Sequence, residues 1–310
     1  MKILFATDGS EHASAALDFL LRFPFPRDTS ITIITVVDDM PMIQAKLDTL
    51  DEDQAEALQS VNRALQVDAE QLVAGVGDRL RADGWSGEAL IRGGAPAKEI
   101  LQAADDIDAD LIVLGSHGMG GVKRFLLGSV SDRVLEYASC SVLIVKTPAT
   151  AVPAMSAEMG ANTSFKVMLA YDGSKASRLA METCAGLPLG KESEIRVVSV
   201  MPLVTAYRQD VRQHINRIWL RKKQVMQDEL EETVRSLRWT TPNVFTELRE
   251  GSSIQNEILT AAEEADSDLI MIGCKDRGTI KRLLLGSVTH RLARYAACTV
   301  WAVRKGLEKE

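Results

Sequence analysis

The sequence predicts an α/β protein made of two tandem doubly wound domains, each a five-stranded parallel sheet with helices on both faces. Three observations predict it. Short unbroken apolar runs alternate with longer segments of helical period, the pattern of a parallel sheet covered on both sides. The first half of the chain returns in the second: ILFATDGS at 3–10 as VMLAYDGS at 167–174, ITIITVVD at 31–38 less closely as IRVVSVMP at 195–202, and DADLIVLGS at 108–116 as DSDLIMIGC at 266–274. The blocks 115–146 and 273–304 align without a gap and share 15 of 32 residues, which points to duplication of one domain. Between the halves, the small residues and prolines of TPATAVPAMSAEMGANTS lack apolar periodicity and read as a linker. The domains are set at 1–147 and 165–305, with a linker at 148–164 and a tail at 306–310.

Taken in order, the first copy opens on a strand near 2–7, stopped by Asp8-Gly9-Ser10. That triplet reads as an Asx-turn or cap before a helix over 12–22. A β-branched run gives the second strand at 30–37. The helix over 50–83 carries Leu58, Val61, Leu65, Ala69, Leu72, Val76 and Leu80 at spacings of three and four, one apolar stripe. A third strand near 87–91, a helix over 96–106 and a fourth strand at 110–115 follow. The last helix, 129–138, leads into a fifth strand at 142–146. Five strands so connected place a ligand at their carboxyl ends, where the strand order reverses.

The glycine-rich stretch GSHGMGGVKRFLLGS begins at such an end. It fits neither GxxxxGK[ST] nor GxGxxG. The spacing present is Gly115, Gly118, nine residues, then Gly128-Ser129. Glycines let backbone N–H groups approach an anion closely. Ser129 reads as the N-cap of the helix, whose free first-turn N–H groups and dipole attract phosphate oxygens. A mobile loop ending in an ordinary capping box, Ser129 to Asp132, explains the same residues. In a doubly wound sheet Asp8 becomes a neighbour of Gly115, and its carboxylate is then placed to accept hydrogen bonds from a ribose or a base.

With Asp8 after the first strand, a valine-rich second strand and G-x2-G-x9-G-S behind the fourth, both halves resemble the universal stress protein family in its two-domain form. The resemblance implies strand order 3-2-1-4-5. For the ATP-binding branch it implies that Asp8 contacts the adenosine part and Val36 meets adenine through its backbone. Gly115 and Gly118 then line ribose and phosphates, and Gly128, Ser129 and Val130 hold phosphates at the helix start. ATP, with magnesium, is the implied ligand, and stress regulation with little or no hydrolysis the implied role. The second half keeps Asp172, Gly273, Gly286 and Ser287 but has Asp276 at the position of Gly118 and His290 at that of Asp132. A carboxylate beside a triphosphate is a like-charge repulsion unless it takes up a magnesium ion, so the second loop is expected to be weak or altered. Lys275 and Arg277 flank Asp276 and partly offset its charge.

The totals exclude some classes. A formal net charge of −7 speaks against nucleic-acid binding, which needs a basic face. No run approaches the length of a membrane span, and the apolar start of MKILFATDGS is too short for a leader, so a cytoplasmic location is expected. The cysteines, 140, 184, 274 and 298, form no CxxC and read as free thiols. No catalytic constellation or metal-ligand cluster stands out, and the chain is not expected to be an enzyme. His117 in the loop and the repeated pairs Lys123-Arg124 and Lys281-Arg282 read as phosphate contacts or as solvated residues. The locally basic RQDVRQHINRIWLRKKQ within 205–238 reads as a contact surface or a solvated helix face. Three readings stand: a nucleotide-binding regulatory protein, a stress protein acting through protein–protein contacts (with a partner or as a homodimer), and a nucleotide-directed enzyme.

Overall fold

The computed structural model describes residues 1–37, 52–118, 127–147, 164–203, 209–274 and 286–304. Asp276 with its neighbours Lys275 and Arg277, the pairs at 123–124 and 281–282, nearly all of the linker and the tail lie outside the described residues. Contacts divide the chain into two compact units, one holding Met1–Arg22 and Arg27–Thr147, the other Pro148–Lys305.

In the first unit the strands are β1 (Lys2–Ala6), β2 (Ser30–Val37), β3 (Gly87–Gly93), β4 (Leu111–Gly115) and β5 (Ser141–Val145). They are joined by α1 (Glu11–Arg22), α2 (Glu52–Ala82), α3 (Pro96–Asp106) and α4 (Ser129–Tyr137). The sheet order is β3-β2-β1-β4-β5, all parallel, with Ala6 opposite Ile34, Phe5 opposite Val113 and Gly115 opposite Val145. This is the order the resemblance implied. Strands β4 and β5 are buried at every position, as in a parallel sheet with helices on both faces. Right-handed crossovers put α1 and α2 on one face and α3 and α4 on the other. The chain changes direction across the sheet between β1 and β4, and the carboxyl ends of those two strands carry Asp8 and Gly115.

The second unit repeats the plan. It has β6 (Lys166–Ala170), α5 (Lys175–Ala185), β7 (Glu194–Pro202), α6 (Gln209–Leu237), β8 (Asn243–Gly251), α7 (Ile254–Glu264), β9 (Leu269–Gly273), α8 (Ser287–Tyr295) and β10 (Thr299–Val303). Its order is β8-β7-β6-β9-β10, again parallel. The duplication extends to ion pairs. Arg92 at the end of β3 reaches Glu99 and Asp106 of α3, and Arg249 at the end of β8 reaches Glu257 and Glu264 of α7. Each arginine ties the third helix of its unit to the third strand.

One expectation changes. The apolar stripe of α2 is used along only half of the helix. Ala69, Val73, Val76 and Leu80 are buried, whereas Val61 and Leu65 are exposed, as is every described side chain from Asp53 to Asp68. The helix is longer than the face of the sheet it covers.

Candidate functional site

The site is built where β1, β4 and α4 meet. Asp8 follows β1, and one carboxylate oxygen, Oδ1, accepts the Ser10 N–H at 3.0 Å. The turn is completed by Gly9 at φ +77°, which favours glycine, and by Ser10 Oγ, which accepts the Ala13 N–H at 3.2 Å and so caps α1. Both structural roles foreseen for Asp-Gly-Ser are therefore met by Oδ1 and Ser10. The second oxygen of Asp8 points towards the glycine loop. A Cβ added to Gly118 would stand 2.6 Å from Asp8 Oδ2, so the loop passes close to the carboxylate and a side chain at 118 would displace it. Val36 is half-buried near the end of β2, two residues beyond the partner of Ala6, and so level with Asp8.

Gly115 and Gly128 have other neighbours. A Cβ on Gly115 would lie 2.7 Å from the backbone carbon and oxygen of His12, so this glycine lets α1 cross the end of β4. Gly273 meets the backbone of Ala176 in the same way. Gly128 donates its N–H to the Ser116 carbonyl at 2.8 Å and packs on the His117 backbone, which closes the two ends of the loop on each other. Ser131 Oγ donates to the Gly115 carbonyl at 2.8 Å and holds α4 under the end of β4.

The reading of Ser129 is corrected. The N-cap of α4 is Gly128, at φ −65° and ψ 154°, and Ser129 is the first helical residue, exposed, with Val130 half-buried behind it. The cap residue is a glycine and brings no side-chain acceptor of its own, and the Asp132 N–H goes to the Gly128 carbonyl at 2.8 Å. A cap residue needs an extended backbone, and the sharp return of the loop at Gly128 supplies it one residue earlier. The first-turn N–H groups are thus without the acceptor that a Ser, Thr, Asp or Asn at the cap position provides.

Two histidines complete the surroundings. His117 is half-buried, not solvated, and its ring lies 5.1 Å from that of His12, tilted by 40°. His12 Nδ1 is 2.7 Å from Thr147 Oγ1, and His117 Nδ1 is 3.2 Å from Ser116 Oγ. Burial, then the nearby His12 and Lys146, hold the His117 imidazole below its usual range, so it is neutral near pH 7. Its Nε2 has no partner among the described residues. His12 carries no sequence signal; what marks it is the contact of its backbone with Gly115, which only the fold supplies.

A cavity of about 330 Å³ opens on the other side of Gly9, between α1 and α2, lined by Thr7, Ser14, Leu72 and Gly75 among others. In the second unit the neighbour of the matching glycine, Gly173, is Glu229 of α6, paired to Arg178 at 3.5 Å. There Asp172 keeps the turn of Asp8. Burial pushes its carboxyl up, but the hydroxyl and N–H of Ser174 and the hydroxyl of Ser177 outweigh that and hold it below the usual range. The start of α8 matches that of α4, with Gly286 as N-cap and no side-chain cap. Ala176 stands where the first unit has His12.

Among the described residues no three His, Cys, Asp or Glu groups gather to hold a metal ion, and no helix is long and apolar enough to cross a membrane. None of the four cysteines forms a disulfide, and three of them are buried.

Comparison with known proteins accounts for this architecture. The model of the universal stress protein family matches residues 1–146 and again 164–304. A universal stress protein of Mycolicibacterium smegmatis is 26% identical over 311 aligned positions, covering 97% of this chain and 96% of its own. One from Methanocaldococcus jannaschii is 31% identical over 147 residues, 47% of this chain and 82% of its own. The crystal structure of a universal stress protein from Archaeoglobus fulgidus superposes with a TM-score of 0.64, at 22% identity, over 99% of this chain and 97% of that one.

Proposed function

The chain belongs to the universal stress protein family, and from that premise we propose that its first unit binds ATP, with magnesium, as the signal of a stress-regulatory protein acting in the cytoplasm. One observation carries the reading: the Asp8 carboxylate, the Cβ-free Gly118 and the glycine-capped start of α4 come together at the switch of the sheet. A helix start capped by a glycine favours phosphate oxygens, and a carboxylate at the end of the first strand suits the hydroxyls of a ribose. In this reading Asp8 and the Val36 backbone hold the adenosine part. Gly118 leaves room for ribose and phosphates, Gly115 and Gly128 hold the loop ends in place beside it, and Ser129 and Val130 present N–H groups to the phosphates. Magnesium, when bound, neutralises phosphate charge. In this reading the protein regulates by occupancy and not by turnover. Its output passes to a protein partner.

The second unit is the silent half. In the first unit a side chain at position 118 would meet Asp8, and the second unit has Asp276 there with Asp172 in the place of Asp8. Calorimetric titration with ATP and magnesium on the intact chain is expected to give about one site, and Gly118→Asp to abolish it through like-charge repulsion. Two sites, or one that survives Gly118→Asp, would overturn the assignment to the first unit. No binding would return the function to protein contacts alone.

A further inference from the structure

His117 stands among the residues that the nucleotide reading uses. Gly118 follows it beside Asp8 Oδ2, and a Cβ on Gly128 would lie 3.2 Å from the His117 Cα. The His117 Nε2 is buried and has no hydrogen-bond partner among the described residues. Its Nδ1 is 3.2 Å from the Ser116 hydroxyl. A ring nitrogen withdrawn from water without a partner destabilises a fold, and few such atoms are kept without a use. Neither neutral tautomer removes the cost, because the serine hydroxyl meets Nδ1 as donor or as acceptor and Nε2 is left over in both.

The charged surroundings of the ring are dominated by bases. From α1 comes His12, its ring centroid 5.1 Å away and its Nδ1 2.7 Å from Thr147 Oγ1. From the end of β5 comes Lys146. The carboxylates of the neighbouring elements are Asp8, after β1, and Asp132, in the first turn of α4. They do not outweigh burial and the two bases, which keep the free imidazole neutral. An anion arriving in this setting reverses the balance, because it favours the charged ring and accepts the hydrogen bond of Nε2. The second unit has no imidazole at either position: Ala176 stands for His12 and Lys275 for His117.

We infer that His117 is a proton-linked phosphate contact: its Nε2, as part of the imidazolium, donates to a phosphate oxygen of the bound nucleotide, so that binding takes up one proton from solvent and tightens as the pH falls. The inference rests on the nucleotide reading above and adds acidity as a second input to the same site. The sign follows from the two states. The free ring is protonated only below the usual imidazole range, and the phosphate-bound ring stays protonated to higher pH. Each pH unit between those two values is worth about tenfold in affinity. The gain is complete below the free value and is lost as the pH rises through the bound one.

Calorimetric titration of the intact chain with ATP and magnesium, from about pH 6 to about pH 8, tests it against His117→Gln, whose amide keeps a neutral donor at that place. The nucleotide's own phosphate titrates in this range alike for both chains, so the difference between them reads the ring. The advantage of the wild type over the variant is expected to grow at least about fivefold from pH 8 to pH 6. Nuclear magnetic resonance of the ring protons, in a chain with four histidines, reads the wild type directly. One histidine titration is expected to move up by about one pH unit on adding ATP and magnesium, and to be missing from His117→Gln. Binding with the same pH dependence in both chains overturns the inference and leaves the nucleotide reading standing, and so do histidine titrations that ATP does not move. No ATP binding at any pH overturns the nucleotide reading and the inference with it.

Discussion

Gly115 and Gly118 sit three positions apart and are glycine for different reasons. At Gly115 the obstacle is backbone: the carbonyl of His12 cannot retreat without moving α1. At Gly118 the obstacle is the tip of a side chain, Asp8 Oδ2, on an exposed stretch. The same substitution therefore has opposite consequences. Gly115→Ala is expected to cost about 1–3 kcal/mol of stability, the range for overpacking a tight interior contact. Gly118→Ala is expected to leave stability within about 0.5 kcal/mol, as exposed substitutions do, and to weaken ATP by displacing Asp8. Urea unfolding of both variants, followed by ATP titration, separates the roles. Equal loss of stability would mean that Gly118 is also a packing glycine, and that its contact with Asp8 is no sign of a ligand site. The spacing of the motif could not distinguish the two, because it records where Cβ atoms are missing and not what would meet them.

At the scale of the element, the start of α4 shows what a sequence pattern conceals. Ser129 followed by Asp132 has the look of a capped helix, and the cap is one residue earlier, at a glycine with no side chain to offer. Were Ser129 the cap, Ser129→Ala would cost about 1 kcal/mol. As the first helical residue it costs much less, a few tenths of a kcal/mol, the scale of helix propensity. The urea midpoint of Ser129→Ala is thus expected to match the wild type within error, while ATP binding falls several-fold through loss of the hydroxyl. A midpoint lowered by a full kcal/mol would restore the capping role. The elements themselves were legible because their signals are collective: runs such as LIVLG and SVLIV fill strands buried at every residue, and α2 keeps its period for several turns. Single contacts were not. His12 at Gly115, Asp8 at Gly118 and the overhang of α2 beyond the sheet depend on distances between elements, and no periodicity encodes those.

At the scale of the whole molecule, one ancestral plan has been kept twice and altered at a few points. Both units retain the parallel order, the turn after the first strand, the close crossing of helix and fourth strand, and the arginine that ties the third helix down. The differences cluster around the site. His12 gives way to Ala176, Ser116 to Cys274, Ser131 to Thr289, and the neighbour of the turn glycine changes from Leu72 to Glu229, a carboxylate paired to Arg178. On the reading proposed above, the two units are expected to respond to ligand unequally. Hydrogen exchange with and without saturating ATP and magnesium reads this directly. Binding at about 100 times Kd stabilises the bound form by about 2.7 kcal/mol, enough to slow local opening about a hundredfold where the ligand touches. Slower exchange is expected at 8–10, 115–118 and 128–132, and unchanged exchange at 172–174, 273–274 and 286–290. Slowing at both sets would mean that the second unit binds as well and that the exchange of Gly118 for Asp276 has been absorbed. Slowing at the second set alone would transfer the sensor to the half that lost its glycine. Only the first outcome accounts for a duplication in which one copy has been free to change the residues that would touch a phosphate while keeping those that hold the sheet together.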